Sequence, residues 1–157
     1  MRDKKITEYL VFESGEGRWA VPSRVVERIV RLDAITPVPL APSFLMGLTN
    51  LTGSAITVID LGGLISEATG WTAWRTRGKF CILVTEGGLS IGLAAKKVYR
   101  VVRVVETSLL PVEHVLSTAT IPFEGQNAFE LDLVRVMDIL KSAIDQHFET
   151  FGKPGVP

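Results

Sequence analysis

The chain has 157 residues, of which 46% are hydrophobic and 22% are charged, and a chain of this size and composition folds without disulfides or a structural metal. Its 17 basic and 17 acidic residues give a formal net charge of zero, which argues against a nucleic-acid partner, because nucleic-acid binders need a basic surface. The single cysteine, Cys81, excludes an internal disulfide and a multi-cysteine zinc site.

The N-terminal residues do not read as a targeting signal. The basic start, residues 1–5, is followed by Ile6, Thr7 and Glu8 and by no apolar stretch of signal-peptide length. No run of the sequence approaches the roughly 18 apolar residues that a membrane span needs. We therefore expect a cytoplasmic protein with no direct membrane insertion.

The first elements are short β-type runs separated by a glycine turn. Residues 9–12 (YLVF) are strongly apolar, residues 14–17 (SGEG) have turn composition, and residues 19–21 (WAV) start a second run. Prolines 37, 39 and 42 close the segment that follows. This order predicts a β-hairpin and then a strand that ends at the prolines.

The same order of features returns later in the chain. Residues 80–84 (FCILV), the turn 86–88 and residues 89–93 again predict a hairpin. The valine-rich residues 98–105 predict a long half-buried strand, and Pro111 closes it. Cys81 lies inside the first of these runs, where we interpret it as a buried small hydrophobic residue.

A shift of 72 residues aligns the two halves. Between Leu10 and Pro39 the shift gives six identities in thirty positions, and the order of strand, glycine turn, strand, long strand and proline is kept. Two copies of a small β-rich unit are expected to share one core, because each alone is too small for a stable one. The sequence therefore predicts two SH3-like barrels.

A second similarity, at a shift of 78, involves two aspartates. Residues 58–61 (VIDL) match residues 136–139 (VMDI), which predicts that each copy has a strand ending in Asp60 or Asp138 and then a helix. Asp at such a position is expected to cap the helix, although two carboxylates can also form an acid–base pair.

Beyond Asp138 an apolar stripe at helical spacing predicts a C-terminal amphipathic helix; it consists of Leu140, Ala143, Ile144, His147 and Phe148.

The chain is poor in the residues that carry catalysis. It has two histidines and one cysteine, and it lacks the metal-binding, nucleophile-elbow and phosphate-loop motifs. We therefore expect a non-enzymatic protein without cofactors, which works through exposed strand edges and an apolar groove between its halves. The alternative is an enzyme that uses a cleft of the barrels.

Several ordered segments resemble the CheW-like domain family of chemotaxis coupling proteins, from Tyr9 to about Ile144. These segments are similar in order and spacing to the family pattern, and they are YLVF at 9–12, AVP at 20–22, VVERI at 25–29, ITPVP at 35–39, GLTNLTG at 47–53, ITVIDL at 56–61, IGL at 91–93 and Val98.

The resemblance implies a fold, a function and partners. It implies an all-β protein with short helices, built as two intertwined five-stranded SH3-like barrels. It also implies a chemotaxis adaptor that couples methyl-accepting chemoreceptor tips to the regulatory domain of a CheA-type histidine kinase. We expect a single domain at 8–148, with subdomain 1 at about 8–66 plus the C-terminal helix, subdomain 2 at about 79–138 and a tail at 149–157.

Two positions depart from the family pattern. The family usually has an arginine between Leu51 and Gly53, where this chain has Thr52, and a hydroxyl cannot replace the five donors of a guanidinium. Lys96 stands where an acidic residue is usual. A divergent scaffold in another chemosensory pathway, controlling pili or another output, with altered kinase coupling, is therefore the alternative function.

The candidate contact residues follow from the same resemblance. Asn50, Thr52 and Gly53 are the candidates for kinase coupling. The candidates for the receptor groove are apolar residues of both halves, and they are Val26, Ile29, Val30, Val98, Val101 and Val102.

Trp71 and Trp74 lie with three cationic residues in the connection between the halves. Tryptophan and arginine concentrate in interface hot spots, so these indoles are either a partner anchor or a cover for the barrel edge. The sequence leaves both roles open.

Overall fold

The computed structural model describes residues 5–15, 17–51, 53–70 and 78–151, without the side chains at positions 144 and 146–151. Within these residues the chain is mostly β-structure with two α-helices and two short 3-10 turns. The elements are β1 (Ile6–Ser14), β2 (Gly17–Pro22), β3 (Val26–Arg31), β4 (Leu45–Leu51), β5 (Ser54–Ile59), α1 (Leu61–Thr69), β6 (Phe80–Glu86), β7 (Leu89–Ala95), β8 (Lys97–Val105), β9 (Leu110–His114), β10 (Ser117–Phe123), β11 (Gln126–Glu130) and α2 (Leu133–Phe151).

The strands form two sheets, and each sheet takes strands from both halves of the chain. The six-stranded sheet has the order β8-β1-β2-β11-β10-β9, and the five-stranded sheet has the order β3-β6-β7-β5-β4. The predicted all-β protein of two intertwined units is confirmed. The strand count differs from the expected five in one sheet, and hydrogen bonds between the described strands leave both sheets open instead of closing them into barrels.

The intertwining is an exchange of one strand between the halves. In β3, Val26 lies opposite Val84 of β6. The residue 72 positions after Val26 is Val98, and the residue 72 positions before Val84 is Phe12; these two lie opposite each other in β8 and β1. Both antiparallel pairs also contain a register shift at the corresponding place. The third strand of each half therefore pairs with the first strand of the other.

The parallel contacts follow the same rule. β5 pairs with β7 through Val58 and Gly92, and the shift of 72 turns this pair into Glu130 and Ala20, which join β11 to β2. The two halves are thus related by a pseudo-twofold arrangement that preserves residue-by-residue register. The repeat that the sequence suggested is a repeat of strand pairing as well as of strand order.

One hydrophobic core serves both halves, as expected. Residues of the first half, such as Phe12 and Leu61, pack in the same buried cluster as Leu93 and Leu116 of the second half. Burying apolar side chains contributes roughly 1.5–3 kcal/mol for each large residue. Separating the halves would expose this shared cluster, so the two repeats fold as one unit.

Two aspartates begin the helices, but only one of them is the expected residue. Asp60 is 1% exposed, and its Oδ2 accepts a hydrogen bond of 3.1 Å from the backbone N–H of Gly63, which confirms it as the cap of α1. The cap of α2 is Asp132, whose Oδ1 accepts from the N–H groups of Val134 and Arg135. Asp132 stands 72 residues after Asp60, so the main repeat continues without an insertion.

The prediction that Asp138 ends a strand and caps the last helix is therefore wrong. Asp138 lies in the second turn of α2, and residues 136–138 are helical. A four-residue apolar segment fits a strand as well as a helix, because it is too short to distinguish the strand repeat of about 2 residues from the helix repeat of about 3.6 residues. The longer spacing of Leu133, Val136, Leu140 and Ala143, all buried, is that of a helix face.

The C-terminal amphipathic helix is confirmed by the packing of this face on the shared core. It begins five residues earlier than Asp138, and its backbone continues to Phe151, three residues beyond the expected boundary at 148. The described side chains on its other face, such as Arg135 and Lys141, are exposed. The side chains of Ile144, His147 and Phe148 lie outside the described residues.

Candidate interaction surfaces

The six candidate groove residues lie on the two exchanged strands. Val26, Ile29 and Val30 belong to β3, which forms one edge of the five-stranded sheet. Val98, Val101 and Val102 belong to β8, which forms one edge of the six-stranded sheet. The shift of 72 relates the two sets one to one.

Burial separates these residues into two groups. Ile29 is 41% exposed and Val101 is 49% exposed, and they occupy equivalent positions in the two edges. The other four are half-buried and pack against different clusters: Val26 and Val98 against the shared core, Val102 against a cluster around Val11, and Val30 against a cluster around Cys81. The six side chains do not form one continuous apolar cluster.

Exposed arginines flank the apolar residue on each edge. Arg28 and Arg31 flank Ile29, and Arg100 and Arg103 flank Val101. Among the described strands, none pairs with the outer side of β3 or β8. Charged side chains on an unpaired edge suppress edge-to-edge aggregation, and an exposed edge also offers a docking line to a partner.

The candidates for kinase coupling lie in the hairpin between β4 and β5. Asn50 is exposed, and its Oδ1 accepts a hydrogen bond of 3.0 Å from the N–H of Gly53. Gly53 has a φ of +86°, a conformation that residues with a Cβ rarely adopt. Asn50 and Gly53 therefore fix the turn that carries position 52. Thr52 itself lies outside the described residues.

A cluster of aromatic rings in the six-stranded sheet is not predicted by the sequence. The indole of Trp19 lies 5.4 Å from the His114 ring and 5.3 Å from the Phe129 ring, and the His114 and Phe129 centroids are 4.9 Å apart. The Trp19 Nε1–H donates to the Ser14 carbonyl. The three rings come from β2, β9 and β11, so only the sheet order brings them together.

His114 and Cys81 are both shielded from water: His114 is half-buried and Cys81 is fully buried. Burial lowers the pKa of His114, whose Nδ1 accepts from the Leu116 N–H at 3.0 Å. Burial alone raises the pKa of the Cys81 thiol to about 11. A thiol with so high a pKa is a poor nucleophile, which agrees with the interpretation of Cys81 as a packed hydrophobic residue.

An open apolar cavity lies between the five-stranded sheet and α2. Its volume is about 480 Å³. Apolar side chains of the sheet form its floor, and residues of α2 form one wall. The lining residues are Phe44, Leu45, Thr57, Ile59, Leu89, Ser90, Ile91, Met137, Asp138, Leu140, Lys141 and Asp145. Asp138, the expected helix cap, is thus a rim residue of this cavity.

Two further findings concern the described part of the chain alone. None of its helices combines the length and the apolar character that crossing a membrane requires, and no group of three or more metal-ligating side chains lies together in it. Trp71 and Trp74 lie outside the described residues.

The exchanged β-units thus place two equivalent edges, β3 and β8, unpaired among the described strands, on the two sheets. The model of the CheW-like domain family matches residues 8–141. Protein FrzA of Myxococcus xanthus is 32% identical over 104 residues, which cover 66% of this chain and 63% of FrzA, less than two thirds of its length.

Two other proteins extend the similarity. The chemotaxis protein CheW of Helicobacter pylori is 24% identical over 145 residues, covering 88% of this chain and 84% of that protein. The crystal structure of the scaffolding protein TtCheW from Thermoanaerobacter tengcongensis superimposes with a TM-score of 0.68 at 23% identity, covering 81% of this chain and 89% of that one, which shows a common fold. The chain belongs to the CheW-like domain family, which includes these chemotaxis and scaffolding proteins.

Proposed function

We propose that this protein is a non-enzymatic cytoplasmic adaptor that couples the tips of methyl-accepting chemoreceptors to the regulatory domain of a CheA-type histidine kinase. The observation that carries the proposal is the pair of equivalent sheet edges, each with one exposed apolar residue between two arginines, Ile29 on β3 and Val101 on β8. Membership of the CheW-like family supports the choice of partners.

The proposed receptor contact uses these edges. An amphipathic helix binds a groove by burying apolar anchors, and acidic residues along its flank would face the arginines. Ile29 and Val101 are the main proposed anchors because they are exposed before binding. Val26, Val30, Val98 and Val102 are half-buried, and in this proposal they support the edges and contribute the remainder of the groove.

The proposed kinase contact uses the hairpin that contains Asn50, Thr52 and Gly53. The hydrogen bond from Gly53 to Asn50 holds this turn in a fixed shape, and a fixed turn loses little conformational freedom on binding. The kinase domain would contact this turn, in whose sequence Thr52 replaces the arginine of the family pattern.

The second candidate function is a scaffold of a separate chemosensory pathway, controlling pili or another output, with altered kinase coupling. Thr52 favours it, because one hydroxyl cannot make the planar contacts of a guanidinium. The similarity to FrzA, a relative that is not named as a CheW, favours it as well.

Binding measurements with the two partners test the proposal. Ile29→Glu and Val101→Glu are expected to weaken binding of a receptor-tip helical hairpin at least about ten-fold, as the loss of interface anchors does, and to leave the Tm nearly unchanged because both sites are exposed. Leu110→Glu, at another exposed apolar residue on β9, is the matched control. Unchanged receptor binding in both edge variants would refute the edge assignment.

A pull-down with the kinase regulatory domain tests the hairpin. Thr52→Arg is expected to strengthen kinase capture if the protein is a coupling adaptor, and Asn50→Ala to weaken it by loosening the turn. If the native chain captures the receptor tip but no kinase, and Thr52→Arg restores capture, the second candidate function is correct. Kinase capture that neither variant alters would contradict the role of this hairpin.

A further inference from the structure

The cavity beneath α2 belongs to the structural half built on the five-stranded sheet, and it has an equivalent place in the half built on the six-stranded sheet. The shift of 72 relates Ile91 to Trp19 and Thr57 to Phe129, and it also relates Pro42 to His114. In the half built on the six-stranded sheet these positions hold three aromatic rings in edge-on or tilted contact. In the other they hold two aliphatic side chains and a threonine, and Ile91 and Thr57 line a cavity of about 480 Å³.

The backbone framework around the two places is the same. Ile59 pairs with Leu93 in the same register in which Glu130 pairs with Ala20, since the parallel strand contacts are equivalent. The Asp60 N–H donates to the Phe44 carbonyl, as the Asp132 N–H donates to the Leu116 carbonyl one repeat later. The cavity therefore results from smaller side chains on a conserved scaffold, and the filled half shows what the scaffold accommodates: an indole and a phenyl ring.

The cavity is also open and chemically suited to a ligand. Leu89, which is 57% exposed, stands at its mouth, whereas the equivalent residue of the filled half is Gly17. Volumes of about 300–1,000 Å³ with mostly apolar walls and few polar groups are typical of binding pockets. A ligand that covers these apolar walls removes them from water, which is favourable.

The rim of the cavity has a charge pattern. Asp138, Lys141 and Asp145 lie at helical spacing along α2 and all three are exposed. Two carboxylates against one ammonium give the rim a net negative charge. A ligand that places a cation beside its apolar group would therefore be favoured over a neutral or acidic one.

We infer that this cavity is a docking site for a partner protein that inserts one aromatic side chain, flanked by basic residues, between α2 and the five-stranded sheet. The inserted ring takes the place that Trp19 and Phe129 occupy in the other half. The flanking cations contact Asp138 and Asp145. This site is separate from the β3 and β8 edges and from the Asn50 hairpin, so it is independent of the receptor and kinase contacts proposed above.

Methyl NMR on the full chain tests the site with defined probes. Titration with the peptide acetyl-Lys-Trp-Lys-amide is expected to shift the methyl signals of Ile91, Leu89 and Met137, with a dissociation constant on the order of 0.1–1 mM for so small a ligand. Acetyl-Lys-Ala-Lys-amide, the matched probe without the ring, is expected to leave these signals in place. Absence of shifts with the tryptophan peptide would overturn the proposal.

Filling the cavity provides the decisive variant. The double variant Thr57→Phe with Ile91→Trp introduces the side chains of Phe129 and Trp19 at the equivalent positions. We expect it to weaken binding of the tryptophan peptide at least about ten-fold, because the new rings exclude the ligand from the preformed pocket. Thr57→Ser with Ile91→Val changes the same positions without filling them and should retain binding. Leu89→Ser, at the exposed mouth, gives a third test if the filled variant does not fold. Binding that persists undiminished in both the filled variant and Leu89→Ser would overturn the proposal.

Two other occupants are distinguished by the same experiment. Free indole that binds more tightly than the peptide would show a small-molecule site and overturn the protein partner. Binding that appears only after Trp71→Ala and Trp74→Ala would show that the chain's own tryptophans occupy the cavity, with the same consequence. Charge reversal by Asp138→Lys and Asp145→Lys is expected to weaken binding of the basic peptide about two- to five-fold, which is the range for exposed ion pairs. Unchanged binding would contradict the proposed contacts between the basic residues of the partner and these two aspartates.

Discussion

The two structural halves of this protein share one backbone arrangement but differ in the side chains that it carries. The difference is largest at two equivalent sites, one on each sheet. In the six-stranded sheet, β2, β9 and β11 carry the rings of Trp19, His114 and Phe129, which contact one another edge-on or tilted. The equivalent place in the other sheet contains an open cavity. Because strand pairing and helix caps correspond residue by residue, backbone geometry is held constant. The difference shows that a duplicated fold can fill one site with core side chains and leave the equivalent site open.

The largest expected effect comes from emptying the filled half. Trp19→Ala should lower the free energy of unfolding by about 3–5 kcal/mol, since it removes a large buried side chain from a packed cluster. Ile91→Ala, at the equivalent position, should cost about 2 kcal/mol, the low end for such a truncation, because one side of Ile91 already faces the cavity. Urea unfolding of both variants measures the difference. Equal costs would mean that the two sites are packed alike.

A second contrast concerns the strands that join the halves. A Cβ on Gly92 would lie 2.5 Å from the Cys81 Sγ, whereas the equivalent residue of the other half is Ala20, which is buried without this conflict. Gly92→Ala should therefore destabilise the protein by about 1–3 kcal/mol through overpacking.

The partner of that clash can be removed as a control. Cys81→Ala combined with Gly92→Ala should recover part of the loss, and a double-mutant cycle should give a coupling of about 0.5–3 kcal/mol. Ala20→Gly, the reciprocal change, should cost about 0.5–1 kcal/mol from backbone entropy and about 0.8 kcal/mol more from the loss of one buried methyl group. Additive effects of the Cys81 and Gly92 changes would rule out the contact as the cause.

The smallest expected effect is a pH dependence confined to the filled half. Burial lowers the pKa of His114 in the folded state, so the unfolded chain binds the proton more tightly and stability falls as the pH drops below about 6.5, the usual histidine pKa. Protonation would also remove the Nδ1 acceptor that the Leu116 N–H uses. Between pH 7.5 and 5.5 the Tm should therefore fall.

A variant that cannot titrate isolates this contribution. His114→Asn retains a side-chain acceptor for the Leu116 N–H but gains no charge in this pH range. Its Tm should fall less than that of the native protein over the same interval. An identical fall in both proteins would assign the pH dependence to other groups.

Much of the local structure could be predicted from residue patterns. The glycine turn after residue 12 and the valines at 98–105 specified strands within a few residues of β1 and β8, and Asp60 was recognised as a helix cap. The contact role of the candidate residues stays a prediction, and the structure divides them by burial: Ile29 and Val101 are exposed on sheet edges, whereas Val26 and Val98 pack on the core. Sequence alone could not separate these groups, because valine favours buried and exposed faces of an edge strand alike.

The amino-acid sequence by itself determined that the chain is duplicated, that its copies are β-rich and that a helix ends it, because turn residues and apolar spacing act over a few neighbouring positions. Only the tertiary structure decided that β3 and β8 exchange between the halves, that Asp132 starts α2, and that one of two equivalent sites is filled while the other is open. Those outcomes depend on which strands pair across some 50–100 residues of chain, and pairing between distant strands is chosen by the core they jointly bury.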